Sequence, residues 1–363
     1  MKTLNYEKRQ TAIVENMNKA EIDLFLITPS IDFGYLFKGF VSLSERLKCG
    51  MLSTHDDARM IAPFFEKENM QNHTSFDDVI TWKEDEDPYV VLKKAIPYDV
   101  KKIALEPTMP FEIYIKLQKQ FPDVDFVDGS KIIRKQRATK SEAEIERLEK
   151  AGRYTVDGML SALDLIKPGM TELEVLKLFQ EEMTLQSGEP SWALVQFDEN
   201  SAVPHGSPST RRMRENSVVL IDAGSMCDHY FADITLTTFY GKVTDEFLKV
   251  YEIVESANEA ALEASKIGIP CEEVDFAARK IIDEAGYGEY FTHRLGHGLG
   301  LEVHEEPYMV KGNNRLLVEG NVHTDEPGIY IPNKFGIRIE DDIFVGEKSK
   351  RTVSFDRYLW TKR

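Results

Sequence analysis

Two aspartates in the C-terminal half of the chain are spaced so that they could share a cation. Asp222 and Asp233 lie in β-rich segments joined by a short stretch near Cys227 and Asp228, which predicts a hairpin that pairs the two aspartates. Directly opposed side chains lie roughly 5 Å apart, and like charges at that distance are destabilising. The pair therefore predicts a bound metal ion or a shared proton.

A second predicted hairpin repeats this arrangement with glutamates. The segment from Glu326 to Glu340 turns at Asn333-Lys334, so its arms should pair Glu326 with Glu340. Four carboxylates on one sheet face carry four negative charges, which two divalent cations would neutralise. Asp341 follows Glu340, and strand alternation should send it to the opposite face. The alternative is that these acids are solvated surface groups, as most acidic residues are.

The histidines supply nitrogen ligands to the same region, because six of the eight lie between residues 205 and 323. His297 stands between Gly296 and Gly298, and glycines let backbone and metal approach without a Cβ clash. A dinucleotide-binding loop is not expected there, because no βαβ unit surrounds these glycines. A helical zinc site with His293 is also disfavoured, because Gly296 and the missing intervening glutamate do not fit that motif.

Two domains must position these residues. Residues 1–135 alternate apolar strand-like runs, such as Asp23–Thr28 and Lys102–Leu105, with amphipathic helical stretches, a pattern typical of an α/β domain. Ser141 and Glu144 form a capping box that should open a long helix. Two domains are therefore expected, a smaller α/β domain at residues 1–135 and a C-terminal domain at residues 136–363 that contains the candidate metal ligands.

A weak internal repeat occurs within the C-terminal part. Residues 167–175 match residues 266–274 in lysine, glycine, glutamate and valine at the same offsets, and each copy lies between two helical patterns. A similar offset relates His205 to His304. The repeat predicts a duplicated helix-helix-strand unit with pseudo-twofold symmetry; the alternative is a pair of unrelated helical corners.

Composition limits the possible partners and compartment. The net charge of −17 should repel nucleic acid and anionic lipid, so neither nucleic acid nor a membrane is expected as a partner. The N-terminal segment lacks the apolar core of a signal peptide, and no run approaches 18 apolar residues. Three widely separated cysteines, Cys49, Cys227 and Cys271, suit reduced, buried thiols. A cytoplasmic enzyme is expected.

Several motifs together resemble the creatinase, prolidase and methionine aminopeptidase superfamily, the pita-bread metallopeptidases, and specifically its prolidase and aminopeptidase P branch. The motifs are His293–Gly300, His304–Pro307, Thr324–Tyr330 and Gly336–Asp341. The resemblance implies an α+β chain: a C-terminal catalytic pita-bread domain with a pseudo-twofold curved antiparallel sheet, preceded by the smaller, non-catalytic α/β domain. Stand-alone methionine aminopeptidases are disfavoured, since about 130 N-terminal residues would then have no role.

The resemblance also implies roles for individual residues. Asp222 would bind one divalent ion, His297 and Glu326 the other, and Asp233 and Glu340 would bridge both. A bridging hydroxide would attack the scissile carbonyl while Glu326 shuttles the proton. The remaining predicted site residues are substrate contacts: His205 and His304 as hydrogen-bond donors, with Tyr230 and Arg338 also near the substrate. Manganese is the expected metal, with cobalt, zinc or iron as alternatives.

The predicted reaction is hydrolysis of the Xaa-Pro bond in dipeptides, by a protein that forms a homodimer as its relatives do. Leu236 stands where many relatives have arginine, and Tyr308 where some prolidases do. His323 and Asp325 replace apolar residues beside Thr324. The lost arginines leave Arg338 to clasp a terminal carboxylate; the alternative is a structural ion pair between Arg338 and Glu340. The alternatives are an aminopeptidase P-like enzyme for longer peptides, a metal-free creatinase-like hydrolase and a non-catalytic peptide-binding module.

Overall fold

A computed structural model describes residues 1–96 and 99–357. The chain divides into two compact units, one of Thr3–Gln136 and the other of the residues from Arg137 onward with Met1–Lys2. The division lies one residue after the boundary expected from the sequence. Among the described residues, no helix combines the length and apolar character needed to cross a membrane.

The N-terminal unit is built on a six-stranded mixed sheet with strand order β4-β3-β2-β1-β5-β6, which confirms its predicted α/β class. Its helices are α1 (Tyr6–Lys19), α2 (Ile31–Phe37), α3 (Lys67–His73), α4 (Pro88–Lys94), α5 (Phe111–Gln120) and α6 (Ser130–Arg137), with a 3-10 turn at Phe64–Glu66. Its strands are β1 (Leu24–Ile27), β2 (Cys49–Ser53), β3 (Arg59–Pro63), β4 (Val79–Trp82), β5 (Lys102–Leu105) and β6 (Asp125–Asp128).

The C-terminal unit contains two helix pairs and antiparallel strands. Its helices are α7 (Glu142–Leu163), α8 (Glu172–Ser187), α9 (Asp245–Ala264) and α10 (Cys271–Glu284), with 3-10 turns at Asp198–Ala202 and Gly288–Tyr290. Its strands are β7 (Trp192–Phe197), β8 (Ser217–Gly224), β9 (Met226–Cys227), β10 (Tyr230–Phe231), β11 (Ile234–Tyr240), β12 (Gly296–Gly298), β13 (Glu305–Met309), β14 (Val322–Asp325), β15 (Gly328–Ile331), β16 (Phe335–Arg338), β17 (Asp341–Phe344) and β18 (Lys350–Arg351). Glu144 accepts the Ser141 N–H at 2.8 Å where α7 begins, as the capping box predicts.

The described strands of this unit form a three-stranded sheet, β11-β8-β7, a five-stranded sheet, β13-β12-β14-β17-β18, and the hairpins β9-β10 and β15-β16. Each half has its own apolar core. Val175 and Phe179 of α8 pack with Ile221 of β8, whereas Val274 of α10 packs with Ile337 of β16. The two separate cores are what a duplicated unit requires, because each helix pair must bury its own apolar face.

Hydrogen bonds confirm the internal repeat. Gly169 and Gly268 both have positive φ, 88° and 85°, a conformation that disfavours residues with a Cβ. The Gly169 N–H donates to the carbonyl of Met213 and the Gly268 N–H to that of Leu317, both at 2.8 Å. The chain thus turns the corner between its paired helices in the same way twice, and each corner is tied to an equivalent loop.

The first predicted hairpin is present, but its register differs from the predicted one. It turns at Asp228–His229, where both residues have positive φ, one position later than expected. Asp222 consequently pairs with Thr235, so the predicted direct pairing of Asp222 with Asp233 is wrong. A shift of two positions keeps a strand residue on the same face, and Asp233 therefore remains near Asp222 as a diagonal neighbour.

The second predicted hairpin is confirmed. Gly328 pairs with Arg338 and Asp325 pairs with Asp341, and Glu326 and Glu340 stand between these two ladders in the same register. The loop includes Asn333, with φ of 60°, a conformation that asparagine adopts more readily than most residues. The two glutamates are therefore opposed as the sequence predicts.

Candidate metal centre and substrate cavity

A cavity of about 420 Å³ in the C-terminal unit contains nearly all the predicted site residues. Its described lining consists of Trp192, Leu194, Pro204, His205, Asp222, Asp233, His293, His297, Val303, His304, Glu326, Arg338 and Glu340. Carboxylates, imidazoles, one guanidinium and several apolar groups therefore share one concave surface. Such a combination of an apolar wall and convergent polar groups is typical of an enzyme site.

His297 is presented by the short strand β12. A Cβ at Gly296 would lie 2.0 Å from the Thr324 carbonyl oxygen, and one at Gly298 would lie 2.2 Å from the Glu306 carbonyl oxygen. The glycines on both sides are thus required for β12 to fit between its neighbours. His297 Nδ1 lies 3.0 Å from the Gly298 carbonyl, so this nitrogen donates and Nε2 keeps its lone pair.

That lone pair faces carboxylates instead of donors. His297 Nε2 lies 3.4 Å from Glu326 Oε1 and 3.7 Å from Asp233 Oδ2. Burial lowers the pKa of His297 to about 3, so the ring is neutral at pH 7 and supplies no proton on this side. Lone pairs that converge without a proton between them are the arrangement that a metal ion satisfies.

The other carboxylates crowd the same position. Ligand atoms of Asp233, His297 and Glu340 all lie within 4.8 Å of one another. Burial raises the pKa values of Asp233 and Glu340 well above their ordinary range, and neighbouring carboxylates raise them further. The pKa of Glu326 rises to about 7, mainly through burial. A cation would relieve this charge repulsion.

Asp222 stands at the other side of the cluster beside Arg338. Its Oδ2 accepts a bond from an Arg338 terminal nitrogen at 2.6 Å, while its buried Oδ1 has no hydrogen-bond partner among the described residues. An unpartnered buried carboxylate oxygen is costly and is explained if a cation binds it. The set of four carboxylates and one neutral imidazole thus fits divalent ions that accept oxygen and nitrogen ligands.

Arg338 is engaged through all three guanidinium nitrogens. Besides Asp222, it donates from Nε to Thr235 Oγ1 at 3.0 Å and from its other terminal nitrogen to the Tyr330 hydroxyl at 3.1 Å. Tyr330 also lies 2.8 Å from His293 Nε2. The ion pair with Asp222, together with Arg338 Nε 3.8 Å from Glu340, is the structural alternative to a substrate clasp.

The remaining predicted substrate contacts divide into two groups. His205 and His304 both line the cavity, and the His304 ring lies 4.1 Å from that of His297. Tyr230 does not belong to the described lining: it is buried, and its hydroxyl donates to Glu144 of α7 at 2.9 Å. Its predicted substrate contact is therefore replaced by a packing role, since its side chain leaves the strand towards the helix.

The acidic run after Glu340 is not solvated. Asp341 is buried and accepts bonds from Arg351 at 2.8 Å and from Arg357, whose positive charges hold its pKa below the ordinary value despite burial. Asp342 is also buried, and its Oδ2 accepts the backbone N–H of Asp233 at 3.2 Å. Asp341 thus points away from the cavity as predicted, whereas the support that Asp342 gives to Asp233 has no local sequence signal.

Comparison with known proteins identifies the family. The sequence profile of metallopeptidase family M24 matches residues 146–347, and that of the creatinase/prolidase N-terminal domain matches residues 9–139. This chain belongs to metallopeptidase family M24. It is a hydrolytic metallopeptidase, and the described lining of the cavity lies entirely within the residues that the M24 profile matches.

Three similar proteins align with nearly the whole length of this chain. The Xaa-Pro dipeptidase of Lactobacillus delbrueckii subsp. lactis is 35% identical over 347 residues, which is 93% of either chain. The crystal structure of prolidase from Thermococcus sibiricus has a TM-score of 0.90 at 33% identity and covers 98% of this chain and 99% of its own. The X-Pro aminopeptidase of Thermotoga maritima has a TM-score of 0.86 at 31% identity, covering 97% and 99%.

The apolar wall of the cavity and His293 were not predicted as parts of the site. Trp192 and Leu194 come from β7, and Pro204 and Val303 from loops. Alternating side chains on β7 do place Trp192 and Leu194 on one face, but a short apolar strand gives no indication that this face borders a cavity and not a core.

Proposed function

We propose that this protein is an Xaa-Pro dipeptidase, which hydrolyses the peptide bond between an N-terminal residue and proline. The observation that supports it best is a single cavity that joins the buried carboxylate and imidazole cluster to the apolar wall. Proline offers a rigid ring and no N–H, so an apolar surface suits it. The dipeptidase and prolidase named above support the same substrate class by similarity across nearly the whole chain.

Two divalent ions are part of the proposal. Asp222, Asp233, His297, Glu326 and Glu340 would hold them, with manganese expected and cobalt, zinc or iron as alternatives. When bound, such ions supply Lewis acidity and lower the pKa of a coordinated water. The chain's own residues would orient the substrate and move protons.

Proton transfer is assigned to Glu326, and substrate orientation to the neighbouring histidines. A Glu326 carboxylate oxygen would take the proton of the attacking water and deliver it to the leaving proline nitrogen. His205 and His304 line the same cavity and would donate hydrogen bonds as negative charge develops on the scissile carbonyl oxygen. Burial lowers the pKa of His304, so it would act as a neutral donor. The homodimer and the cytoplasmic location are also part of the proposal.

A second candidate is an aminopeptidase that removes the residue before proline from longer peptides. The observation that favours it is the engagement of Arg338: all three of its nitrogens bond Asp222, Thr235 and Tyr330. These bonds use three of the five N–H groups of the guanidinium, so a clasp on the free carboxylate of a dipeptide would have only the second N–H of each terminal nitrogen. The Thermotoga X-Pro aminopeptidase, with a similar fold, is consistent with this alternative.

A substrate panel distinguishes the two candidates. Xaa-Pro dipeptides and Xaa-Pro-Xaa tripeptides should be assayed with manganese, cobalt and zinc supplied separately, and the dipeptide should have the higher kcat/KM. Arg338→Lys should then reduce dipeptide cleavage more than tripeptide cleavage, because only the dipeptide carries a carboxylate on proline itself.

Metal content must be measured in parallel, because Arg338 also contacts Asp222. Arg279→Lys is the matched control: Arg279 makes two bonds to Asp275, at 2.9 and 2.8 Å, and is absent from the described lining of the cavity. Faster wild-type cleavage of the tripeptide, or equal losses on both substrates in Arg338→Lys, would establish the aminopeptidase instead.

A further inference from the structure

Two buried threonines each contact one glutamate of the candidate metal centre. Thr235, on β11, places its Oγ1 2.6 Å from Glu340 Oε2. Thr324, on β14, places its Oγ1 3.2 Å from Glu326 Oε1. Both threonines are at most 1% exposed, so water does not compete for these bonds.

The direction of both bonds follows from the other partner of each hydroxyl. Thr235 Oγ1 accepts from Arg338 Nε at 3.0 Å, and Thr324 Oγ1 accepts from the His297 backbone N–H at 3.1 Å. These nitrogens can only donate, and a hydroxyl has a single proton. Each threonine proton is therefore left for the glutamate, and when a bound cation keeps the carboxylate ionised, this hydrogen bond is stronger than one between neutral groups.

Each threonine also links two members of the ligand set. Thr324 connects the carboxylate of Glu326 to the backbone of His297. Thr235 connects Glu340 to Arg338, whose terminal nitrogen holds Asp222 at 2.6 Å. Thr235 thus holds one oxygen of Glu340 and leaves the other for a cation. Thr324 contacts Glu326 Oε1, the oxygen that also faces His297 Nε2, and so fixes the carboxylate on the side of the imidazole.

We propose that Thr235 and Thr324 are positioning residues that orient Glu340 and Glu326 for divalent-ion binding. The inference rests on the proposed metal site. Partners of this kind restrict a ligand to its binding orientation before the ion arrives, so the ion does not have to overcome the rotational freedom of the side chain. The methyl groups of the threonines do not take part; the hydroxyls do.

Thr237 offers a control within the same strand. It is buried, and its hydroxyl also combines one donated and one accepted bond, to the Arg338 carbonyl at 2.8 Å and from the Arg338 N–H at 3.1 Å. Both of its partners are backbone groups instead of carboxylates. Thr237→Val therefore removes a buried threonine hydroxyl without releasing a metal ligand.

The test compares Mn²⁺ binding by chelator-treated full-length protein, measured by isothermal titration calorimetry. Thr235→Val and Thr324→Val should each weaken Mn²⁺ binding by roughly 10- to 100-fold, the range found when such partners are removed. Thr235→Ser and Thr324→Ser should remain within about threefold of the wild-type Kd, because they keep the hydroxyl. Thr237→Val should leave the Kd within about twofold, since it leaves every carboxylate bond in place.

Kinetics on an Xaa-Pro dipeptide at saturating Mn²⁺ provide a second measurement. Thr324→Val should lower kcat and leave KM nearly unchanged, because Glu326 also carries the proton. Thermal melting by circular dichroism identifies any variant that has not folded, and the serine variants keep the comparison available in that case.

Equal Mn²⁺ affinities in the valine variants and in Thr237→Val would overturn the inference, as would serine variants that bind as weakly as the valine variants. A wild-type protein that binds Mn²⁺ but does not cleave Xaa-Pro peptides would refute the proposed function alone. The affinity ratios would still decide the role of the threonines.

Discussion

The two halves of the C-terminal unit place an acid at corresponding positions. Met213 and Leu317 accept equivalent hydrogen bonds from the two corner glycines, and they are 104 positions apart. The same offset relates Asp222 of β8 to Glu326 after β14. Backbone geometry is thus shared between the halves up to the first residue of the metal cluster.

The residues that precede these two acids differ in polarity. Val219 and Ile221, before Asp222, are buried in an apolar core. Their counterparts before Glu326 are His323 and Asp325, which are also buried. The His323 Nε2 lies 3.1 Å from Ser265 Oγ, and neither carboxylate oxygen of Asp325 has a hydrogen-bond partner among the described residues.

This difference shows how a duplicated fold can become chemically asymmetric. The second half contributes the only imidazole of the candidate ligand set, and its strands carry polar groups on both faces. The first half keeps an apolar layer behind Asp222. The two helix corners therefore share their turn and hydrogen bonds, whereas the residues beside the corresponding acids are apolar in the first half and polar in the second.

Metal removal should have the largest effect, because the ions would bind acids from both halves at once. Chelation should abolish peptidase activity and lower Tm, since ligands that bind only the folded state stabilise it by ~2.7 kcal/mol at a concentration 100 times Kd. For a unit of this size that corresponds to roughly 5–10 °C. Differential scanning calorimetry with and without Mn²⁺ measures the shift. Full activity in a demonstrably metal-free preparation would contradict the prediction.

Replacing single acids of the first half should separate their roles. Asp233→Asn should lower activity by more than ~100-fold, the upper end for residues that merely support a ligand, and should reduce both equivalents of bound metal. Asp222→Asn should reduce the bound metal by one equivalent. Metal content by mass spectrometry, with kcat/KM for an Xaa-Pro dipeptide, checks both variants. Unchanged metal and turnover in Asp233→Asn would remove it from the site.

Replacing His323 by valine gives the second half the residue type that the first half has at the corresponding position, Val219. Burial lowers the His323 pKa from 6.5 to about 4, so the unfolded chain binds more protons between these pH values. The wild-type free energy of unfolding should consequently fall by roughly 3 kcal/mol as pH drops from 6.5 to 4 because of this group. The free energy of unfolding of His323→Val, measured with urea across the same pH range, should not show this decrease. Parallel pH profiles of both proteins would show that His323 does not titrate in this way.

The smallest expected effect tests the shared scaffold directly. Gly169→Ala and Gly268→Ala should each destabilise the protein by roughly 1–2 kcal/mol, the cost of a Cβ in left-handed backbone. Apart from the glycine itself and its two chain neighbours, no heavy atom of the described residues lies within 4 Å of the position that a Cβ would take at either glycine, so strain alone should act and the two losses should be equal. Urea unfolding of each variant measures them, and a clear inequality would mean that the two corners are not equivalent.

The sequence predicts the register of a hairpin best where the residues at the turn themselves favour the turn conformation. Asn333 sets the second hairpin because asparagine tolerates positive φ, and the Glu326–Glu340 register follows from it. The first hairpin turns at Asp228–His229, where His229 has φ of 68°. Histidine is a weaker turn signal than asparagine or glycine, so the register could not be assigned from sequence.

Long-range contacts explain the other differences. The Tyr230 hydroxyl reaches Glu144, 86 residues away, and no strand pattern predicts that partner. Asp342 supports the Asp233 backbone from 109 residues away, although its position in an acidic run favours a solvated residue. The sequence thus predicted the four acids that the cavity brings together and its imidazoles apart from His293, but not the residues that hold them in place.

The indole of Trp192 in the cavity wall gives the site its own optical signal. The chain has three tryptophans: Trp192 lines the cavity, Trp82 is buried in the N-terminal unit, and Trp360 lies outside the described residues. Paramagnetic or coloured ions that enter beside an indole quench its emission, whereas zinc, with a filled d shell, does not quench in this way. Fluorescence of a variant that carries both Trp82→Phe and Trp360→Phe would therefore report cobalt or manganese arrival continuously, at protein concentrations far below those that calorimetry needs.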